Sequence, residues 1–257
     1  MKDVVVMGLG EMGQFMAGGA LRAGARVTPL VRGADVGAVL STVPEGAPLW
    51  CAVGESDLEE AVGTIPAERR RDVILVQNGL FPAQWRALGL ADPTVAVVWT
   101  NRKRSLPTVV LRATAVHGPH AGHVAAVHEA LSVPCVTLED ERALGEELVA
   151  KFGLILAVNL LGVLSARTVG EWLSGEPEEV AAAVEESRLL GEALLGEKTH
   201  AGTVERAIHT ALESMAPLPA RGRTAGARVR GAIGLAGDHG LVLPLLERSA
   251  ECLAKSG

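Results

Sequence analysis

Apolar positions in the first half of the chain come as short unbroken runs, at 4–7, 26–31, 49–53, 72–76, 94–100 and 108–116. Runs without alternation suit strands buried on both faces, as in a parallel sheet. Helix-forming stretches separate some of them. One covers 14–23, with Gly24 placed to stop it, and another covers 57–62. From Glu139 onward the strand pattern ends. Helices are predicted over 140–150, 178–195, 204–214, 228–236 and 244–255, with an apolar stretch over 152–166. That stretch is shorter than the roughly 20 residues of a membrane span, and it reads as a buried helix. No internal repeat is visible. The change of pattern sets a boundary near 135–140, dividing a domain at 1–138 from a helical one at 139–257.

The first run leads into Gly8-Leu9-Gly10-Glu11-Met12-Gly13. Gly8 permits the turn out of the strand. Gly10 lets the backbone approach a pyrophosphate, and Gly13 lets the helix pack closely on the strand. The helix N-terminus then offers N–H groups and positive dipole to the phosphates. Strand, glycine loop, helix and second strand stand in the order of a dinucleotide-binding unit, so these six residues are candidate cofactor contacts. After the second strand comes Arg32, placed to receive the 2′-phosphate of NADP or else a solvated surface arginine. Asp35 keeps an NAD reading open. Asn78, in Gln77-Asn78-Gly79, falls at the carboxyl edge where such sheets bind ligands, but Asn-Gly is also plain turn chemistry.

In the helical half, Lys151 precedes the apolar stretch and Asn159 lies inside it. Their spacing turns them about 80° apart, close enough to face one cleft. A lysine at a cleft can protonate a developing alkoxide, and a snorkelling surface cation is the ordinary alternative. A buried asparagine either binds substrate or is a structural amide with its own partners. His117, His120 and His123 are regularly spaced, but Gly118, Pro119 and Gly122 interrupt any helix that would align them. A solvated loop is therefore expected there, with no metal.

Composition narrows the chemistry. The 257 residues carry 24 Lys and Arg against 30 Asp and Glu, a formal charge of −6, which argues against nucleic acid as partner. The three cysteines are dispersed, which fits a reducing cytoplasm and no disulfide framework. There is no signal peptide pattern at the N-terminus. The chain has no tyrosine. That excludes phenol chemistry, including the Tyr-Lys proton relay of short-chain dehydrogenases. An apolar helix in the second half could serve the core or a homodimer seam equally well.

These residues resemble the ketopantoate reductase (2-dehydropantoate 2-reductase) family over most of the chain. The likeness rests on Gly8 to Gly13, Arg32 and Gln77-Asn78-Gly79. It is most specific over 151–173, through Lys151, Asn159, Leu164 and Thr168-Val169-Gly170-Glu171. Ser214-Met215, Gly222-Arg223 and His239-Gly240 to Pro244 continue it. The resemblance implies an α/β chain: a Rossmann doubly wound sheet followed by an all-helical domain for substrate and dimerisation. It implies NADP as cofactor and hydride transfer to the ketone of a small 2-oxo acid. Lys151 would be the general acid, and Asn78 would place nicotinamide and substrate. Asn159 and Ser214 would hold substrate, and Arg32 the 2′-phosphate.

Two departures stand out. The family's second asparagine, one turn after its lysine, is Ile155 here. Its substrate-gripping glutamate falls in Arg223-Thr224-Ala225-Gly226-Ala227-Arg228, which has no carboxylate. The basic cluster of Arg221, Arg223, Arg228 and Arg230 either binds an anionic substrate group, with Arg223 its foremost contact, or forms a solvated face. The departures keep a second reading open, a catalytically weakened NADP(H)-binding sensor. A third is a two-domain dehydrogenase of the β-hydroxyacid type.

Overall fold

The computed structural model describes residues 2–101, 108–222 and 224–255. The chain divides into two compact units, Met1–Leu144 and Gly145–Gly257. The division falls inside one helix rather than in a linker.

In the first unit, β1 (Asp3–Met7), β2 (Arg26–Leu30), β3 (Leu49–Cys51), β4 (Val73–Leu75) and β5 (Thr94–Val97) run parallel. Two further strands complete the sheet: β8 (Thr114–His117), antiparallel to β5, and β9 (Cys135–Thr137), parallel to β8. The order is β2-β1-β3-β4-β5-β8-β9. The apolar runs at 94–100 and 108–116 are each split. Thr100–Asn101 (β6) and Val109–Val110 (β7) leave the sheet to pair with one another. Pro29 has no N–H to give a ladder, and it sits in the edge strand β2, where that costs least.

Val4, Val6, Trp50, Ile74, Ala96 and Val116 form one face of the core. Against it lie Phe15 and Met16 of α1 (Glu11–Arg22) and Val124 and Val127 of α5 (Ala121–Ala130). The two helices approach closely at Gly19, where a Cβ would fall 2.8 Å from Val127 Cγ1. Shorter helices are α2 (Val36–Leu40), α3 (Leu58–Gly63) and α4 (Pro82–Ala87).

The histidine segment departs from the expected loop. His120 is the N-cap of α5, and Gly122 and His123 lie inside that helix. One glycine in a helix costs about 1 kcal/mol, which the packing of α5 on the core offsets. Nor is His123 solvated: it is largely buried, and Trp50 Nε1 donates to its Nε2 at 3.0 Å. Burial first, then His120 and Lys2, pushes the His123 pKa down to about 4. Just before β4, a buried ion pair holds Arg69 Nε 2.7 Å from Asp72 Oδ2. The Arg69 guanidinium also donates to Leu40 O and Ala47 O, so its burial is compensated.

The second unit is helical. The charged and apolar stretches that the sequence separates are one helix, α6 (Glu141–Leu164) of 24 residues. By length and composition it would suit a membrane span, yet 67% of its apolar stretch is buried in the protein. Small residues let neighbours approach. At Gly162 a Cβ would fall 2.3 Å from Ala220 O, and at Gly153 2.6 Å from Ile208 Cδ1. The remaining helices are α7 (Val169–Gly175), α8 (Pro177–Leu195), α9 (Ala201–Ser214), α10 (Ala225–Asp238) and α11 (Pro244–Lys255). The buried Glu186 of α8 accepts the Leu245 and Leu246 N–H groups at 2.8 and 2.9 Å, so one helix caps the start of another.

Candidate active site

The carboxyl edge of the sheet carries the nucleotide-type features of the first unit. Strand order reverses at β1, which lies between β2 and β3, and doubly wound sheets bind ligands at such a switch point. Gly8 leaves β1 with φ +85, and its N–H donates to Leu30 O at 3.0 Å. A Cβ on Gly8 would lie 2.8 Å from Ala52 O, and one on Gly13 only 1.8 Å from Gly8 O. Nothing lies within 4 Å of where a Gly10 Cβ would stand. Two glycines are thus fixed by packing, and the third faces open space, as close backbone approach to a pyrophosphate requires. Gly10 is the N-cap of α1 and has no side chain to cap it. The helix starts at Glu11, earlier than the predicted 14, so Glu11, Met12 and Gly13 make up its first turn, where N–H groups lack helical partners. Glu11 is exposed, while Leu9 and Met12 pack against the core. Leu9 O accepts from Gln14 Nε2 at 2.8 Å.

Beyond β4, Asn78 is half-buried in a turn with Gly79 at φ +69. The sequence reading named Gln77 only as part of the Gln77-Asn78-Gly79 motif and assigned it no role. Its Nε2 donates to Cys51 O at 2.7 Å and Val53 O at 3.2 Å, while its Oε1 accepts from Val76 N. One amide thus ties the ends of β3 and β4 together beside Asn78. The only signal for it was an amide directly after an apolar strand. Arg32 is exposed just past β2, with Nη2 3.1 Å from Asp57 Oδ2. The sequence reading took Asp57 only as a helix start. Asp35 is otherwise engaged, since its Oδ1 accepts from Ala38 N at 3.0 Å and caps α2.

In the second unit, Lys151 and Asn159 both stand on α6, about 12 Å apart along its axis, with Ile155 midway. Lys151 is half-buried. Burial first, then the charge of Arg228, brings its pKa down to about 8. Arg228 lies on α10 beside the buried Ala225, Val229 and Ala232. Asn159 is buried, and its Nδ2 donates to Ile155 O at 2.6 Å. Its Oδ1 would lie 3.5 Å from a Gly222 Cβ, so the backbone before α10 passes close to that amide. Ser214 ends α9, is exposed, and donates its Oγ to Thr210 O at 3.0 Å. Arg223 lies outside the described residues. Thr168 and Glu171 form a capping box: Glu171 Oε2 accepts from Thr168 N at 2.7 Å, and Thr168 Oγ1 from Glu171 N at 3.2 Å. That part of the sequence motif is explained by starting α7.

No protein-family model matches the sequence, and no curated protein matches it. Solved structures do match. The 2-dehydropantoate 2-reductase from Methylococcus capsulatus superposes with a TM-score of 0.69 at 16% identity, over 99% of this chain and 96% of that one. The fold is that of the ketopantoate reductases. A PanE/ApbA family ketopantoate reductase from Ralstonia eutropha JMP134 gives 0.68 at 20% identity, over 99% and 98% of the two chains. D-mandelate dehydrogenase in complex with NADH gives 0.67 at 12% identity, over 100% and 98%. The ketopantoate reductase fold thus also houses an NADH-bound dehydrogenase with a different named substrate. Within this fold, Ile155 and the carboxylate-free stretch 223–228 remain the departures that the sequence marked.

Proposed function

We propose that this chain is an NADP(H)-dependent oxidoreductase that reduces the ketone of a 2-oxo acid to the 2-hydroxy acid. The observation that carries this is Lys151: a half-buried lysine on α6 with a pKa of about 8, in a chain whose other unit carries an open glycine loop. A nicotinamide, when bound, supplies the hydride that adds to the carbonyl carbon. Lys151 Nζ supplies the proton that the developing alkoxide oxygen takes. Gly8 to Gly13 and the first turn of α1 hold the pyrophosphate, and Arg32 meets a 2′-phosphate. Asn78 orients nicotinamide and ketone, and Asn159 with Ser214 and Arg223 holds the substrate. The family resemblance puts an asparagine at Ile155 and a hydroxyl-gripping glutamate within 223–228, where this chain has no carboxylate. A site without those partners favours a 2-oxo acid lacking such a hydroxyl over ketopantoate itself.

The test is NADPH consumption, followed by absorbance, against a panel of 2-oxo acids with alkyl, aryl and hydroxylated side chains. Turnover on at least one is expected. Tight NADPH binding with no turnover on any of them would overturn the enzyme reading in favour of the sensor. Lys151→Ala should lower kcat by about a hundredfold or more while leaving the NADPH dissociation constant within about twofold.

A further inference from the structure

The loops after β2 and β3 reach one another across the end of β1, because the strand order places β1 between those two strands. Their contact is the Arg32–Asp57 ion pair, at 3.1 Å. The pair lies beyond the same carboxyl edge of the sheet as the glycine loop. Asp57 is held in place: its N–H donates to Gly54 O at 3.0 Å, and Ser56 Oγ donates to its Oδ1 at 3.3 Å. The pair is open to a ligand, since the two side chains are 90% and 48% exposed. Asp35, the carboxylate that follows Arg32 in sequence, is already engaged as the cap of α2.

We propose that Asp57 is a specificity-determining residue for the cofactor, and that with Arg32 it makes a ribose site accepting both a 2′-phosphate and a 2′-hydroxyl. This rests on the nucleotide reading of the glycine loop. A 2′-phosphate binding at Arg32 must share that guanidinium with a carboxylate about 3 Å away and is repelled by it. A 2′-hydroxyl is neutral and donates to the Asp57 carboxylate while the ion pair stays intact. Arg32 alone would select NADPH. Asp57 opposes that selection and recruits NADH.

Calorimetric titration of the full-length protein with NADPH and with NADH tests this without any turnover. The wild type should bind both, with dissociation constants within about tenfold of each other. Asp57→Asn should tighten NADPH about threefold to tenfold and weaken NADH by a similar factor, moving the ratio of constants by at least about tenfold. Arg32→Gln should weaken NADPH and spare NADH. If Asp57→Asn leaves the ratio unchanged while both nucleotides still bind, the inference fails and the nucleotide reading stands. If the wild type binds neither nucleotide, both fail together.

Discussion

Lys151 is a proton donor only while it carries its proton. Burial and Arg228 bring its pKa down to about 8, so the competent ammonium form is dominant below that value and is lost above it. The reductive rate should therefore be level at neutral pH and fall as pH rises through about 8, read from kcat/KM for the 2-oxo acid against pH at saturating NADPH. A profile flat to pH 10 would remove Lys151 from the proton step. Gly13 offers a second test at this scale. A methyl there would sit 1.8 Å from Gly8 O, so Gly13→Ala must displace the turn itself. Overpacking of this kind costs about 1–3 kcal/mol, and nucleotide binding should be lost with it, read by thermal unfolding and titration. Gly8 and Gly13 were legible because their backbone requirement is written in their spacing. The bridging roles of Gln77 and Asp57 were not. A side chain that bridges two strand ends or two loops is specified by strand order, and no local pattern encodes that order.

At the scale of elements, unbroken apolar runs marked β1, β3, β4 and β5 well, because a strand covered on both faces has no polar side to show. They failed where burial changes along a run. The ribbon of β6 and β7 exposes Val109 and Val110 yet continues the same apolar stretches. Gly122 misled for a different reason: propensity is a weak prior, and α5 forms because Val124 and Val127 bury against the sheet. The start of α11 also depends on a distant residue. Glu186 accepts two backbone N–H groups of α11 from α8, across about sixty positions of sequence. Glu186→Ala leaves both donors buried without an acceptor, a loss of about 2 kcal/mol or more. The urea midpoint should fall accordingly, while a midpoint within error of wild type would show that water replaces the carboxylate.

The whole molecule should be sensitive to mild acid, and mainly through the first unit. Burial depresses the pKa values of His120, His123 and His128, with Asp72 opposing it at His120 and Val124 O at His128. The fold therefore favours their neutral forms. Below the ordinary histidine value of 6.5 the unfolded chain takes up protons that the folded one refuses. Stability then falls as pH drops from about 6.5 toward 4, with His123 alone contributing on the order of 3 kcal/mol. Unfolding midpoints across that range check it. A midpoint independent of pH between 6.5 and 4.5 would contradict it.

The contact between Trp50 and His123 has an optical consequence. With no tyrosine, ultraviolet emission comes almost entirely from four tryptophans, three of them, Trp50, Trp85 and Trp99, buried in the first unit. The Trp50 indole donates to the His123 imidazole, with ring centroids 5.9 Å apart. An imidazolium beside an indole quenches its fluorescence, and protonation also removes the acceptor that Trp50 uses. Acid titration of His123 should thus register as a dimming of native emission before any shift in its colour. The protein carries its own lamp for the event that begins to unmake it.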